Sequence, residues 1–316
     1  MKEIGGYLEL ERFSGGEYYP DAVALNNGRC ALRYILRARG IRKLLLPAFL
    51  CASVRGACER EGVQTEPYHI GPDFLPRLSR EPQEGEWLYA VNYFGQLTDG
   101  QILELHGRYP RLIMDHVQAF FHRPLPGIDT VYSCRKFFGV PDGGYAVTDA
   151  VLSETLPKDC SMERMTHLLG RLEGSTASEY YGAFKENDRS FAEIDPRAMS
   201  ELTHVLLRGI RYEDVKRRRE ANFKVLDEAL GRINPLHPRL PEGPYAYPFY
   251  CENGMDLKRE LAKQGIFVPT LWPNVLEDGD EQERLWAENI LPMPVDQRYS
   301  TGDMRWMIQE VLKCIK

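Results

Sequence analysis

The stretch Asp129-Thr-Val-Tyr-Ser133-Cys-Arg-Lys136-Phe-Phe-Gly139-Val-Pro-Asp142-Gly143-Gly144-Tyr145 carries the main signal of the fold. A strand-like run ends at a lysine, a glycine turn follows, and apolar residues flank both. Such a lysine is expected to be partly desolvated, and burial lowers the pKa of an amine, readying it to attack a carbonyl and form a Schiff base. The same pattern also suits a lysine that lays its stem along a strand end and keeps its charge in water.

Upstream, from residue 28 to about 150, short apolar runs alternate with helical patterns, which is an α/β signature. Strands are expected at Lys43–Leu46, Gly62–His69, Trp87–Asn92, Leu112–Asp115, Thr130–Ser133 and Tyr145–Thr148, with a helix at Asp99–Arg108. The run Leu112-Ile113-Met114 ends at Asp115. A carboxylate at a buried strand end needs a partner, and ligand crevices of open α/β sheets lie just outside such ends; capping of the next turn is the alternative. Gly28, in Asn26-Asn27-Gly28-Arg29-Cys30-Ala31-Leu32, precedes an amphipathic helix closed by Gly40. Free N–H groups at a helix start suit a phosphate, although a plain helix start reads the same way.

An anion site, a strand-end carboxylate and a lysine, in that order on an α/β scaffold, match the needs of pyridoxal 5'-phosphate (PLP). A carboxylate beside the pyridine nitrogen keeps it protonated, so that the ring accepts electrons from a substrate carbanion. Asp115 is assigned that role, the helix start at Gly28 the phosphate, and Lys136 the Schiff base and later general acid and base. Ser133, in S-x-x-K spacing with Lys136, is expected near the same phosphate.

The order and wording of these segments resemble the DegT/DnrJ/StrS family of PLP-dependent aminotransferases. That family shows a Gly-Thr-x-Ala-Leu helix start, an Asp-x-x-Gln-Ala segment and a lysine followed at +7 and +8 by Gly-Gly. This chain has Gly28-Arg29-Cys30-Ala31-Leu32, Asp115-His116-Val117-Gln118-Ala119, and Lys136 with Gly143-Gly144. Asn92-Tyr93-Phe94-Gly95, Arg217-Arg218-Arg219 and Leu291-Pro292-Met293-Pro294 extend the likeness over most of the chain. The resemblance implies the PLP-dependent transferase type I fold: a large domain with a mainly parallel seven-stranded sheet and a small C-terminal α+β domain. It implies a homodimer that moves an amino group, from glutamate, to a keto group of a nucleotide-activated sugar. It also implies that Gln118 lies near the cofactor's phenolic oxygen, that Arg29 and Cys30 offer N–H groups to the phosphate, and that an aromatic residue after Pro47 stacks on the ring. Phe49 is nearest to that aromatic in type and Cys51 in position. Two features depart from the family: Ser-Phe-His-x-x-Lys becomes Val131-Tyr132-Ser133-Cys134-Arg135-Lys136, with the serine moved from −5 to −3 and no histidine, and Glu179–Pro196 does not match the loop that reaches a neighbouring subunit.

Beyond residue 150 longer helical stretches follow, the clearest from Met199 to Leu230, where Lys216-Arg217-Arg218-Arg219 reads as a solvated face. Five prolines in Asn234–Pro248 mark the change of domain, giving a large domain over 1–232 and a small one over 233–316. In the latter we expect helices at Asp256–Lys263, Glu281–Ala287 and Gly302–Ile315 and a strand at Ile266–Pro269.

The chain has 316 residues, 46 acidic and 40 basic side chains and a net charge of −6. That balance gives no electrostatic reason to expect nucleic acid or an anionic membrane as partner. No apolar run approaches the ~18 residues of a membrane span, and Met1–Gly6 lacks the apolar core of a secretion signal; residence in the cytoplasm is expected. The seven cysteines, without a C-x-x-C pair, read as reduced, buried thiols. No histidine spacing suggests a metal, and none is expected. Two rivals remain. Ser133-Cys134-Arg135-Lys136 is formally the S-x-x-K of a serine hydrolase, but no S-D-N or K-[ST]-G element accompanies it. The other is a non-catalytic protein that keeps the fold for binding or regulation.

Overall fold

The computed structural model describes residues 4–174 and 176–315. Its first part contains β1 (Val23–Leu25), α1 (Gly28–Ala38), β2 (Lys43–Pro47), α2 (Ala52–Arg60), β3 (Gln64–Ile70), β4 (Pro76–Arg77), β5 (Glu86–Val91), α3 (Asp99–Arg108), β6 (Leu112–Asp115), β7 (Asp129–Ser133) and β8 (Gly144–Val147). Then come α4 (Thr166–Leu172), α5 (Tyr181–Ser190), α6 (Glu201–Arg208), α7 (Tyr212–Leu230), β9 (Ala246–Tyr250), α8 (Gly254–Lys263), α9 (Val275–Asp278), α10 (Glu281–Asn289), β10 (Ile290–Pro294) and α11 (Thr301–Cys314).

The main sheet runs β1-β8-β7-β6-β5-β2-β3-β4. β7, β6, β5, β2 and β3 are parallel neighbours, while β8, β1 and β4 join antiparallel to their neighbours. The expected mainly parallel sheet is therefore present, with eight strands; the two-residue β4 pairs at its edge. β2, β5 and β6 are almost wholly buried, as strands covered on both faces must be. Their C-terminal ends place Asn92 and Asp115 side by side, since Val91 pairs with Asp115 and Asn92 N–H donates to the Asp115 carbonyl at 3.0 Å.

A second core joins Phe223, Leu226 and Leu230 of α7 to Tyr247 and Phe249 of β9, Leu257 and Leu261 of α8, Leu291 and Met293 of β10, and Met304, Met307 and Val311 of α11. β9 and β10 form their own antiparallel pair. No strand forms at Ile266–Pro269: Ile266 and Val268 are buried in this core, but no neighbouring strand offers them a ladder. The stretch expected as one helix from Met199 to Leu230 is two, α6 and α7, parted at Gly209-Ile210-Arg211. Of the seven cysteines, all unpaired, only Cys30, Cys58 and Cys134 are buried; Cys160 and Cys314 are exposed because they lie in a loop and at the last turn of α11. No helix among the described residues is long and apolar enough to cross a membrane.

Candidate active site

Asp115 closes β6 with its side chain buried. Oδ1 accepts the Val117 N–H at 2.7 Å and Oδ2 accepts the Tyr89 hydroxyl at 2.6 Å. Burial pushes its pKa above the usual carboxylate range, against the opposing pull of Tyr89, of the Val117 N–H and of the Lys136 charge. Both carboxylate oxygens of Asp115 are thus engaged by donors of the chain. Tyr89, one strand over on β5, was not foreseen; its only sequence signal is a polar-tipped ring inside the apolar run Trp87–Val91.

The start of α1 is pressed against this strand end. A Cβ on Gly28 would lie 3.4 Å from Ser133 Cβ and 3.5 Å from Val117 Cγ1, so the helix start, the end of β7 and the exit of β6 meet at one point. The Gly-Gly pair explains the approach. A Cβ on Gly144 would fall 2.5 Å from the Asn27 carbonyl carbon and 2.7 Å from Gly28 N, distances that exclude any side chain. Gly143 has φ +115° and donates its N–H to the Asn26 carbonyl at 2.7 Å, a conformation that favours glycine. Asp142, buried, accepts from Ser200 N and Oγ (3.0 and 2.9 Å) and from the Thr203 hydroxyl, which ties this turn to the start of α6.

Asn27 caps α1, and its Oδ1 takes the Cys30 N–H at 2.9 Å. The Cys30 amide assigned to a phosphate is therefore already bonded, leaving the Gly28 and Arg29 amides as the first-turn donors that Asn27 does not take. Burial pushes the Cys30 thiol up to about 11.

Gln118 accepts the Phe94 N–H on Oε1 at 2.9 Å, pinning a turn in which Phe94 has φ +54°. Its Nε2 is buried with no hydrogen-bond partner among the described residues, a donor aimed at nothing the chain supplies. Gln118, His122, Arg123 and Arg239 line a depression of about 410 Å³ that Lys136 does not border. His116 is buried, and burial drives its imidazole down to about 3, so it is neutral at pH 7.

Lys136 ends a 3-10 turn, Cys134–Lys136, that follows β7 directly. Contrary to expectation it is exposed, with Nζ 5.8 Å from the centre of the Tyr245 ring. The apolar flanks Phe137 and Phe138 do not cover the amine, because they turn into an aromatic cluster with Phe120, Phe121 and Tyr18. Phe49 also stands apart from its assignment. It is 1% exposed and edge-on to Trp272 at 4.6 Å, with Tyr93 and Trp286 around it, so it offers no open face for stacking. Trp272 is likewise a buried core aromatic.

Arg219 reads in the sequence as part of a solvated charge run, although it lies on the buried stripe of α7 with Asn222, Phe223 and Leu226. It is 1% exposed and reaches the turn that follows Lys136. Nη2 donates to the Phe137 carbonyl at 3.1 Å, Nη1 to the Pro244 carbonyl at 2.9 Å and Nε to Gln297 Oε1 at 2.8 Å. Burial lowers its pKa to about 10, which leaves it charged at neutral pH.

No family model matches the chain, and no curated protein matches it by sequence. Solved structures do. A DegT/DnrJ/EryC1/StrS aminotransferase from Brucella abortus superposes with a TM-score of 0.63 at 18% identity, over 93% of this chain and 86% of that one. DesV of S. venezuelae, solved in complex with a ketimine intermediate, gives 0.65 at 19% identity over 93% and 85%. NtdA of Bacillus subtilis, with bound cofactor PMP, gives 0.66 at 14% identity over 93% and 73%. The chain has the fold of these aminotransferases.

Proposed function

We propose that the chain is a PLP-dependent aminotransferase of the DegT/DnrJ/StrS type. The observation that carries this reading is the convergence of the α1 start on Ser133, three residues before Lys136, and on the exit of β6, the strand that ends at the buried Asp115. The unpartnered Nε2 of Gln118 supports it, being a buried donor of the kind a phenolic oxygen satisfies.

The residues divide the work. The Gly28 and Arg29 amides and Ser133 hold the phosphate at the positive end of α1. Asp115, its carboxylate held by Tyr89 and Val117, would partner the ring nitrogen, and the unpartnered Gln118 Nε2 would donate to the phenolic oxygen. When bound, PLP supplies the electron sink for a carbanion next to the amino group. Lys136 would be the residue that holds the cofactor through Nζ, and its amine, when free, would serve as the proton carrier.

The finer reading follows from the sequence resemblance alone: glutamate as donor and a keto sugar carried on a nucleotide as acceptor. In this reading 233–316 would be the small domain and the other wall of the cleft, an assignment supported by the second core, which also takes in Phe223, Leu226 and Leu230 of α7. A homodimer fits the exposed Ile4, Tyr7 and Leu8 of the N-terminal arm and Leu172, Tyr181 and Phe184 of α4 and α5. Seven unpaired thiols suit the cytoplasm.

The test is a titration of the purified chain with PLP, borohydride reduction and peptide mapping. A visible band trapped on Lys136, lost in Lys136→Ala, supports the reading; a chain that stays colourless refutes it. The exposed amine favours one second reading, a cofactor-binding protein without turnover. Colour at Lys136 that no amino donor discharges identifies that case.

A further inference from the structure

Asp188, on α5, sits between two arginines at the edge of the phosphate site. Its Oδ1 accepts from Arg29 Nη2 at 3.2 Å and from Arg135 Nη1 at 3.3 Å. Arg29 follows Gly28 in the first turn of α1, and Arg135 lies between Ser133 and Lys136. Among the described residues Asp188 is the only carboxylate ion-paired with either arginine. The Arg135 guanidinium is fixed from its other side, 4.8 Å over the Phe191 ring.

We infer that Arg29 and Arg135 form a guanidinium pair for the cofactor's phosphate dianion, and that Asp188 is the built-in counter-ion which the phosphate must displace. The inference rests on the cofactor reading above. Two positive groups share one carboxylate oxygen, so a unit of positive charge is left over beside amides that already favour an anion. The two contacts are long for charge-assisted bonds, which run at about 2.7–2.9 Å. Arg33, by contrast, holds Glu61 at 2.5 Å and Asp195 at 2.7 Å. Asp188 is also half-exposed, with 46% of its side chain open to water, so its grip is weak and releasing it costs little. A phosphate dianion carries twice the charge and three terminal oxygens, and can serve both guanidiniums where the carboxylate serves each through a single contact.

The experiment compares PLP with pyridoxal, which lacks the phosphate, by following the coloured Lys136 adduct in the full-length chain. In Asp188→Asn the affinity for PLP is expected to rise about three- to tenfold while that for pyridoxal stays within about twofold, as removal of one weak competing ion pair implies. Adding Arg135→Gln to Asp188→Asn should abolish the gain. Inorganic phosphate should compete more strongly with PLP in Asp188→Asn than in the parent chain. Asp188 is on the surface, so its substitution leaves the fold intact. Unchanged PLP affinity in Asp188→Asn, or an equal shift for PLP and pyridoxal, overturns the inference while leaving the cofactor reading standing. Failure of both compounds to form an adduct in the parent chain sinks that reading, and the inference with it.

Discussion

The Tyr89 hydroxyl donates to Asp115 Oδ2 across the β5–β6 strand pair at 2.6 Å, so the orientation of the strand-end carboxylate is set from the neighbouring strand. The bond also opposes the effect of burial on the Asp115 pKa.

Tyr89→Phe removes that opposition, and the Asp115 pKa should climb further. The acid limb of the pH profile for the half-reaction with an amino donor is expected to move to higher pH, with the rate at neutral pH falling about tenfold, the scale of one misplaced proton-handling group. A limb that stays in place would show that Asp115 does not set it.

Asp115→Asn is expected to separate stability from function. The raised pKa of the folded state means that this carboxyl stabilises the fold below its unfolded pKa and that this contribution is lost as pH rises through the folded value. At neutral pH the cofactor-free variant should therefore resist urea better than the parent, and the advantage should vanish in acid. Its half-reaction should be lost. Equal urea midpoints for the two proteins across pH would count against the burial argument.

Gly144→Ala and Gly28→Ala should differ sharply. At 144 the new methyl meets Asn27 and Gly28 backbone at 2.5 and 2.7 Å, whereas at 28 its nearest contact is 3.4 Å. We expect Gly144→Ala to cost about 3 kcal/mol, as overpacking against immobile backbone does, and to weaken PLP binding. Gly28→Ala should cost less than about 1 kcal/mol. Thermal melts and PLP titrations of the two proteins provide the check.

Arg219→Met keeps the stem and deletes the donors. The Pro244 carbonyl loses its partner and the Phe137 carbonyl keeps only Gln297 Nε2, at 2.7 Å. A loss of about 2 kcal/mol is expected from the unpaired buried groups, together with slower adduct formation at Lys136. Arg219→Lys should restore part of the stability and little of the rate, since an ammonium cannot reach three acceptors in a plane.

Much of this architecture is legible where local pattern and tertiary role agree. The run Leu112–Asp115 ends as a strand at its first carboxylate, and Thr98 and Gln101 form the capping box that opens α3 at Asp99. β1 escaped notice because three residues hold too little periodicity and its pairing partner, β8, lies some 120 residues away in sequence. β10 was hidden by Pro292 and Pro294, which usually argue against a strand but are tolerated in a two-stranded pair. Arg219 could have been found: with Asn222, Phe223, Leu226 and Leu230 it lies on the buried stripe of α7 at helical spacing, and the charge run masked it. The exposure of Lys136 was not legible, because the amine's cover depends on where Phe137 and Phe138 turn. The bonding of Cys30 N–H to Asn27 follows from an N-cap that the sequence does display.

The Phe137 carbonyl is gripped by Arg219 of α7 and by Gln297, just after β10, and both elements are built into the second core. The turn that carries Lys136 is thereby tied to the second core. If the proposed aminotransferase closes by rocking that core toward the sheet, residue 136 would be dragged with it, and shutting the site and aiming the amine would be a single stroke.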